Sequence, residues 1–393
     1  MKLLLIKIGK AFHTLKRDGL VRGGRRVLTA GMAMFRFVGR GDILFITGGV
    51  GDSARYRTAH IAEALRIQGF KTSVTVQDNP LLATYANKFS IFVFHRVLYT
   101  RSVAKLIARI KAQNKEIIFE TDDLVYDPQF LKYMDYYLKM NALERKLYEN
   151  GVGGEILTDP YVRVCTTSTS FLAGKLREKG KRVFVVPNRV SQEDVKLAEE
   201  ILAAAKNIKK NINIVRVAYF SGTPSHNKDF ATITSALLAL LETYPQMRLV
   251  LVGPLDTDQR LQKFRARIKR VPFLTRAKYF AAVANMDINL APLEIGNPFC
   301  EAKSELKWIE AGLVGVPTVA SATGTFKEAI VDGVDGYVAE TQEEWREKIG
   351  KLITDADARK QMGEKAREKI LAHYTTKISE VGYMEYLRTK LKT

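Results

Sequence analysis

The chain has 393 residues, a net charge of +20, 46% hydrophobic residues and 26% charged residues. At roughly 100–200 residues per domain this length calls for two domains, and the balance excludes a chain dominated by disorder. No run reaches the about 18 apolar residues of a membrane span, and Cys165 and Cys300, far apart and without metal-ligand spacing, read as reduced buried thiols of a cytoplasmic protein.

The first forty residues hold Lys2, Lys7, Lys10, Lys16, Arg17, Arg22, Arg25, Arg26, Arg36 and Arg40 against Asp18 alone, so nine of the twenty excess charges sit there. Lys7 and Lys10 interrupt the opening apolar stretch and no small-residue cleavage site follows, so no signal peptide is expected. Leu4, Ile8, Phe12 and Leu15 recur at helical spacing. Gly19, Gly23 and Gly24 break the pattern, and a second apolar cluster follows at Val27, Leu28, Met32, Phe35 and Val38. A basic amphipathic segment with bulky apolar residues suits an anionic bilayer surface, where each cation contributes on the order of 1 kcal/mol. The alternative is a helix packed on the protein with a solvated basic face. No aromatic-interleaved basic motif or known module points to nucleic acid.

From Asp42 short apolar runs alternate with helical segments. Ile43–Thr47 reads as a buried strand, Gly48–Asp52 as a loop and Ser53–Gln68 as a helix. Thr72–Val76, Ile91–Phe94, Glu116–Phe119, Val162–Thr166 and Val183–Val186 are further strands, with a basic helix at Ser102–Gln113. Pro187 and Asn188 close this half, and a polar helix, Ser191–Lys206, leads to the next. Strands are expected at Asn213–Phe220, Arg248–Val252, Asp287–Leu290, Thr318–Ala320 and Tyr337–Ala339, with helices at Phe230–Thr243, Ala277–Ala284, Ser304–Leu313 and about Ile378–Lys392. Buried strands joined by helices imply parallel sheets covered on both faces, with ligands beyond the strands' carboxyl ends.

Three segments carry chemistry. Gly49-x-Gly51-x-x-Ala54 lies between a strand and a helix, which suits close backbone approach to an anionic ligand, with Asp78 after the second strand as a candidate ribose ligand. Arg55 and Arg57 follow at once, suited to an anion or otherwise solvated. In the second segment, Ser221 to Phe230, Gly222 and Thr223 shape a turn, and His226 and Lys228 stand near the start of a helix. A lysine there can clamp a diphosphate; otherwise the segment is a capping turn. In the third, Ser304 can cap a helix whose free N–H groups, with Lys303 and Lys307, make an anion site. Glu310, further along, can accept both ribose hydroxyls or be an exposed helix carboxylate. His95 ends a strand and Asp122-Asp123 follow another; each can position a ligand, or be a core histidine and a helix-start acid pair.

These segments resemble the retaining, group 1 type glycosyltransferases of family 4 and related polysaccharide-building enzymes. The resemblance rests on Glu310-Ala311 followed by Gly315-Val316-Pro317, on Lys228 after Ser221-Gly222, on Asp335-Gly336-Tyr337, and, in the first half, on Phe119 to Leu124, Arg55-Tyr56-Arg57 and Val186-Pro187-Asn188. It implies an α/β GT-B architecture: two Rossmann-like domains with parallel sheets facing a central cleft, plus the basic N-terminal segment. The domains are expected at 1–40 (basic segment), 41–188 (acceptor domain), 189–375 (nucleotide-sugar donor domain) and 376–393 (a helix crossing back). Two positions depart from the family pattern. Ala302 stands where a first glutamate is usual, Glu301 being one residue off, and Thr223 stands where an arginine is usual.

The resemblance implies an enzyme moving a hexosyl or deoxyhexosyl unit, with retention, from a nucleoside-diphosphate sugar to a glycan or lipid-linked acceptor in bacterial surface polysaccharide assembly. No metal or cofactor is expected, since Asp256-Thr257-Asp258 reads as a surface turn. Lys228, His226, His95 and Asp122 are the catalytic candidates. Gly49, Gly51, Gly222, Thr223, Lys303, Ser304, Lys307 and Glu310 are the donor candidates, and Arg55, Arg57 and Asp123 the acceptor-side ones. The expected location is cytoplasmic, peripheral on the inner face of the cell membrane. An NAD-dependent oxidoreductase using the Gly49 loop and an inactive scaffold of the same fold are the rival readings.

Overall fold

The computed structural model describes residues 31–134, 137, 140–146, 148–205, 213–222 and 226–392, together with 9, 19, 23, 24 and 27–29. The chain divides into two units: Met1–Leu131, Lys139–Pro187 and Ser379–Thr393 form the first, and Lys132–Leu138 with Asn188–Ile378 the second.

The first unit holds six strands: β1 (Ile43–Thr47), β2 (Thr72–Val76), β3 (Ile91–His95), β4 (Glu116–Thr121), β5 (Val164–Thr167) and β6 (Arg182–Val185). All pair in parallel, in the order β2-β1-β3-β4-β5-β6. β1 and β3 are buried along their whole length, as continuous apolar runs covered on both faces must be. The last helix, Val381–Leu391, belongs to this unit. Its Tyr383, Tyr386 and Leu387 join the core of Ile43, Phe45, Val93 and Val164, and the Tyr383 ring lies 5.5 Å from that of Phe184.

The second unit repeats the plan with β7 (Val215–Phe220), β8 (Met247–Val252), β9 (Ile268–Val271), β10 (Ile288–Ala291), β11 (Thr318–Ser321) and β12 (Tyr337–Ala339), again all parallel. Their order is β12-β11-β10-β7-β8-β9. Read from β9 and counted from this unit's own first strand, that is third, second, first, fourth, fifth, sixth, the order of Rossmann nucleotide-binding sheets. The first unit has only one strand beyond β1 on that side. β9 is not expected from the sequence: it is an edge strand whose Lys269 and Arg270 face solvent, so it shows no apolar run.

In each sheet the chain reverses direction once, between β1 and β3 and between β7 and β10. Loops leaving adjacent strands part at these points and open a crevice beyond their carboxyl ends. The expected helix at Ser304–Leu313 is shorter than expected. Pro298–Glu301 forms a separate turn capped by the Asn297 side chain, and the helix proper is Leu306–Leu313. Ser304 is therefore not its cap; the Ser304 hydroxyl instead accepts a hydrogen bond from the Asn188 amide at 2.7 Å. Among the described residues no helix is long and apolar enough to cross a membrane.

Candidate functional site

At the first unit's reversal, His95 ends β3 at 1% exposure. Its Nδ1 lies 3.1 Å from the Thr47 hydroxyl, and its Nε2 lies 3.1 Å from Ser53 Oγ and 3.4 Å from Asp122 Oδ1. Ser53 donates to Asp122 Oδ2 at 2.8 Å. Arg96 Nε stands 2.6 Å from Asp122 Oδ1, an ionic contact whose geometry falls short of a hydrogen bond, and Arg96 Nη2 donates to Asp123 at 3.2 Å. Burial would raise the Asp122 carboxyl, but Arg96 and His95 outweigh it and hold it well below the usual carboxylate range. Burial also lowers His95. Asp122 is thus a fixed anion, suited to orienting groups rather than to exchanging a proton. Asp123 accepts from the Leu124 N–H at 2.7 Å, starting the short turn Leu124–Tyr126.

The backbone here is tight. Arg96 has φ +48, and a Cβ on Gly48 would meet its carbonyl oxygen at 1.9 Å. The glycine that the chain's own close backbone approach needs is Gly48, next to the expected Gly49-x-Gly51 pattern. Gly51, at φ +148, supplies the loop's turn into the helix, and Gly49 has open space around it. Arg55 is exposed, with a 3.5 Å contact to Asp52. Arg57 is not on the surface. The turn Arg55–His60 is a π-helix that swings it inward, where its guanidinium bonds both Glu120 oxygens, at 2.8 and 3.1 Å, and the Val186 carbonyl. Thr166 also donates to Glu120. Asp78 is half-buried between the buried Gln77 and Asn79.

At the second unit's reversal the polar groups converge on Asp229, 2% exposed. Its Oδ2 lies 2.8 Å from His226 Nδ1 and 2.9 Å from Lys303 Nζ. Its Oδ1 takes the Cys300 thiol at 3.1 Å and the Glu294 N–H at 3.4 Å. Burial would raise this carboxyl, but His226 and Lys303 hold it well below its ordinary value. His226 is pushed down to about 4, first by burial, with Lys303 and Lys307 adding to it. Lys307 is also lowered by burial and by Lys303; its ammonium bonds the Phe220 carbonyl at 3.0 Å, where β7 ends. Lys228, by contrast, is exposed. Gly222 borders this loop with open space around it, and Thr223 lies outside the described residues.

Glu310 is buried at 8%. One oxygen accepts from Arg276 Nη1 at 2.8 Å and the other from the Tyr279 hydroxyl at 2.7 Å. Arg276 also grips Asp194 through two 2.8 Å bonds. Asp194 in turn shares reciprocal backbone bonds with Ser191 at the start of the helix Gln192–Ala205, a capping box. Glu301 is not a free acid. Its two oxygens accept the N–H groups of Gly296 and Gly324. Sequence reasoning missed Asp229, Arg276 and Ser53. Only the three-residue step from His226 to Asp229 was visible beforehand.

Asp229, Glu294 and Cys300 offer ligand atoms within 4.8 Å of one another. They fit a metal ion poorly. Both Asp229 oxygens are already taken, one by the Lys303 ammonium and His226 and the other by the Cys300 thiol and the Glu294 N–H, so a cation would have to displace Lys303.

Residues 215–355 match the family model described as Glycosyl transferases group 1. No curated protein matches the chain. Among solved structures, HepE of Anabaena in complex with UDP-glucose superposes with a TM-score of 0.56 at 15% identity, covering 90% of this chain and 100% of that one. A glycosyltransferase from Rickettsia africae gives 0.60 at 14%, covering 91% and 100%. WaaG, a glycosyltransferase involved in lipopolysaccharide biosynthesis, gives 0.54 at 15%, covering 84% and 95%. At these identities the likeness establishes the fold: two Rossmann-like units of the GT-B kind, the second carrying the group 1 match.

Proposed function

We propose that the protein is a glycosyltransferase that takes a sugar from a nucleoside-diphosphate sugar, with the nucleotide held at the β7/β10 reversal of the second unit. The single observation carrying this reading is the Asp229–Lys303–His226 cluster at that reversal, inside the segment that matches the family model. The leaving nucleoside diphosphate gains negative charge as the glycosidic bond breaks, and cations fixed in place beforehand lower the barrier most. Lys303, anchored by Asp229, takes the place of the arginine absent at Thr223, with Lys228 and Lys307 nearby in the same unit. Glu310, braced by Arg276 and Tyr279, keeps lone pairs for two ribose hydroxyls, because each carboxylate oxygen accepts more than one bond.

In the first unit His95, Asp122 and Asp123 position acceptor or sugar, and the exposed Arg55 reaches an anionic group. The poor fit of the Asp229 group to a metal supports transfer without one. Retention, a hexosyl or deoxyhexosyl donor, and a place in bacterial surface polysaccharide assembly extend the family resemblance. WaaG's role in lipopolysaccharide biosynthesis supports the last of these for this chain.

The N-terminal segment is the proposed contact with an anionic membrane on its cytoplasmic side. Leu28, Met32 and Phe35 stand 66%, 64% and 75% exposed at steps of four and three, one helix face, in the region holding nine of the excess charges. The expected helix around Leu4, Ile8, Phe12 and Leu15 lies outside the described residues.

The NAD reading rests on the Gly49 loop. It gains no support from a first sheet that lacks the dinucleotide strand order. Calorimetry with UDP, dTDP, GDP, ADP and NAD tests the proposal. Tight binding of one nucleoside diphosphate, weakened by Glu310→Ala, is expected; binding of NAD alone overturns it.

A further inference from the structure

We infer that His226 is held as a neutral imidazole with its proton on Nδ1, and that its Nε2 accepts a hydrogen bond from a hydroxyl of the donor sugar. The identity of that hydroxyl's owner rests on the function proposed above; the tautomer does not.

The proton assignment follows from what surrounds Asp229. Besides the His226 ring, three donors reach its two oxygens: Lys303 Nζ, the Cys300 thiol and the Glu294 N–H. A carboxylate so surrounded has no proton to give, so the 2.8 Å contact to His226 requires an N–H on Nδ1. Lys303 Nζ, 3.3 Å from the same nitrogen, could donate only to an unprotonated Nδ1, which would set the ring's lone pair 2.8 Å against the carboxylate; the shorter contact decides for the proton. A second proton on Nε2 would make a mostly buried imidazolium beside two lysines, Lys303 and Lys307, with Asp229 already paired to Lys303 and the half-buried Glu294 the other carboxylate at the cluster. Burial and repulsion together disfavour it. Nε2 therefore presents a lone pair.

That lone pair has no partner among the described residues, and the side chain is 18% exposed. Nε2 is not among the buried atoms left without a partner, so it is reached from solvent, and a ligand entering at the sheet's reversal can take the place of water on it. The complement is a hydroxyl. Phosphate oxygens are acceptors and repel Nε2, so the diphosphate falls to Lys303 and Lys307 while His226 reads the sugar. A site built to bond one hydroxyl rejects an analogue lacking it more strongly than an apolar pocket can.

The test has two arms, both on the full chain. Long-range proton–nitrogen NMR on 15N-labelled protein, with His226 assigned through His226→Asn, is expected to show a protonated Nδ1 and an unprotonated Nε2 from pH 6 to 8. An Nε2–H tautomer, or a charged ring at pH 7, overturns the inference whatever the activity. The second arm is calorimetry with UDP, dTDP, GDP and ADP and with UDP-glucose, dTDP-glucose, GDP-mannose and ADP-glucose. In His226→Asn the amide keeps a donor for Asp229 but nothing replaces Nε2. The bare diphosphate is expected to keep its affinity within about twofold, while the bound nucleotide sugar loses roughly fivefold to tenfold, the effect of one hydrogen bond. Equal losses for both, or none for either, overturn the sugar contact alone. A wild-type chain that binds none of the eight overturns it together with the function it rests on, leaving the tautomer result to stand by itself.

Discussion

Both sheets bring a histidine–aspartate pair to the point where strand order reverses, yet the two pairs are finished differently. At the first, both ring nitrogens of His95 are answered within the unit, Thr47 on Nδ1 and Ser53 and Asp122 near Nε2, with Arg96 in ionic contact with Asp122. At the second, Asp229 gathers His226 and Lys303, but the far nitrogen of His226 has no partner among the described residues. Saturated networks hold a geometry; unsaturated ones hold a ligand. The first pair reads as a fixed mount that positions what binds beside it, the second as a direct contact to the donor.

Four experiments probe this contrast. The largest effect is expected beneath the first site. Arg57→Ala leaves Glu120, fully buried, without its ion-pair partner, and removing one member of such a pair costs on the order of 3–5 kcal/mol. Chemical denaturation should show that loss; one below about 1 kcal/mol would mean the pair is not what secures this region.

Next come two glycines. Gly48→Ala drives a methyl into the Arg96 carbonyl and should cost about 1–3 kcal/mol, as overpacking does, whereas Gly222→Ala, in open space, should stay within about 0.5 kcal/mol. Equal costs at the two positions would erase the distinction between a closed and an open loop.

The third contrast separates two lysines of the second unit. Lys303→Ala should weaken nucleoside-diphosphate binding about 10- to 100-fold, the scale of a fixed charge-assisted bond, while exposed Lys228→Ala should change it a few-fold. Lys303→Arg is the control that retains the charge if the alanine variant folds poorly. The reverse ranking would move the phosphate contact to the Ser221–Gly222 turn.

The smallest effect concerns acid. His226 is depressed to about 4 from an ordinary 6.5, so the fold favours its neutral form. The stability this contributes is complete above about pH 6.5 and is lost as pH falls from there towards 4. His226→Asn should therefore show a shallower drop in melting temperature between pH 7 and pH 5 than wild type. An unchanged slope would mean the ring is not held neutral.

The sheets were legible in the sequence because buried parallel strands are continuous apolar runs. Ile43–Thr47, Thr72–Val76 and Tyr337–Ala339 occur as read. Edge strand β9 was not, since Ile268–Val271 carries two exposed cations. The candidate site was half legible. His226, Lys303, Lys307 and Glu310 stood out as chemistry beside turns and helix starts. Asp229 and Arg276 did not, because what makes them matter lies far off in the chain. Lys303 is brought to Asp229, and Glu310 to Arg276, only by strand pairing and helix packing. Arg57 reads from the sequence as an acceptor-side anion ligand because no sequence rule foresees the π-turn that buries it against Glu120.

The most direct test is turnover. Purified protein would be incubated with UDP-, dTDP-, GDP- and ADP-hexoses and a lipid-linked glycan extract, and both nucleoside diphosphate and glycan mass followed. Release of one diphosphate, dependent on the extract, matched by a gain of one hexosyl unit and lost in Lys303→Ala, is the predicted result. No release from any donor, with the folded chain binding NAD instead, would contradict it.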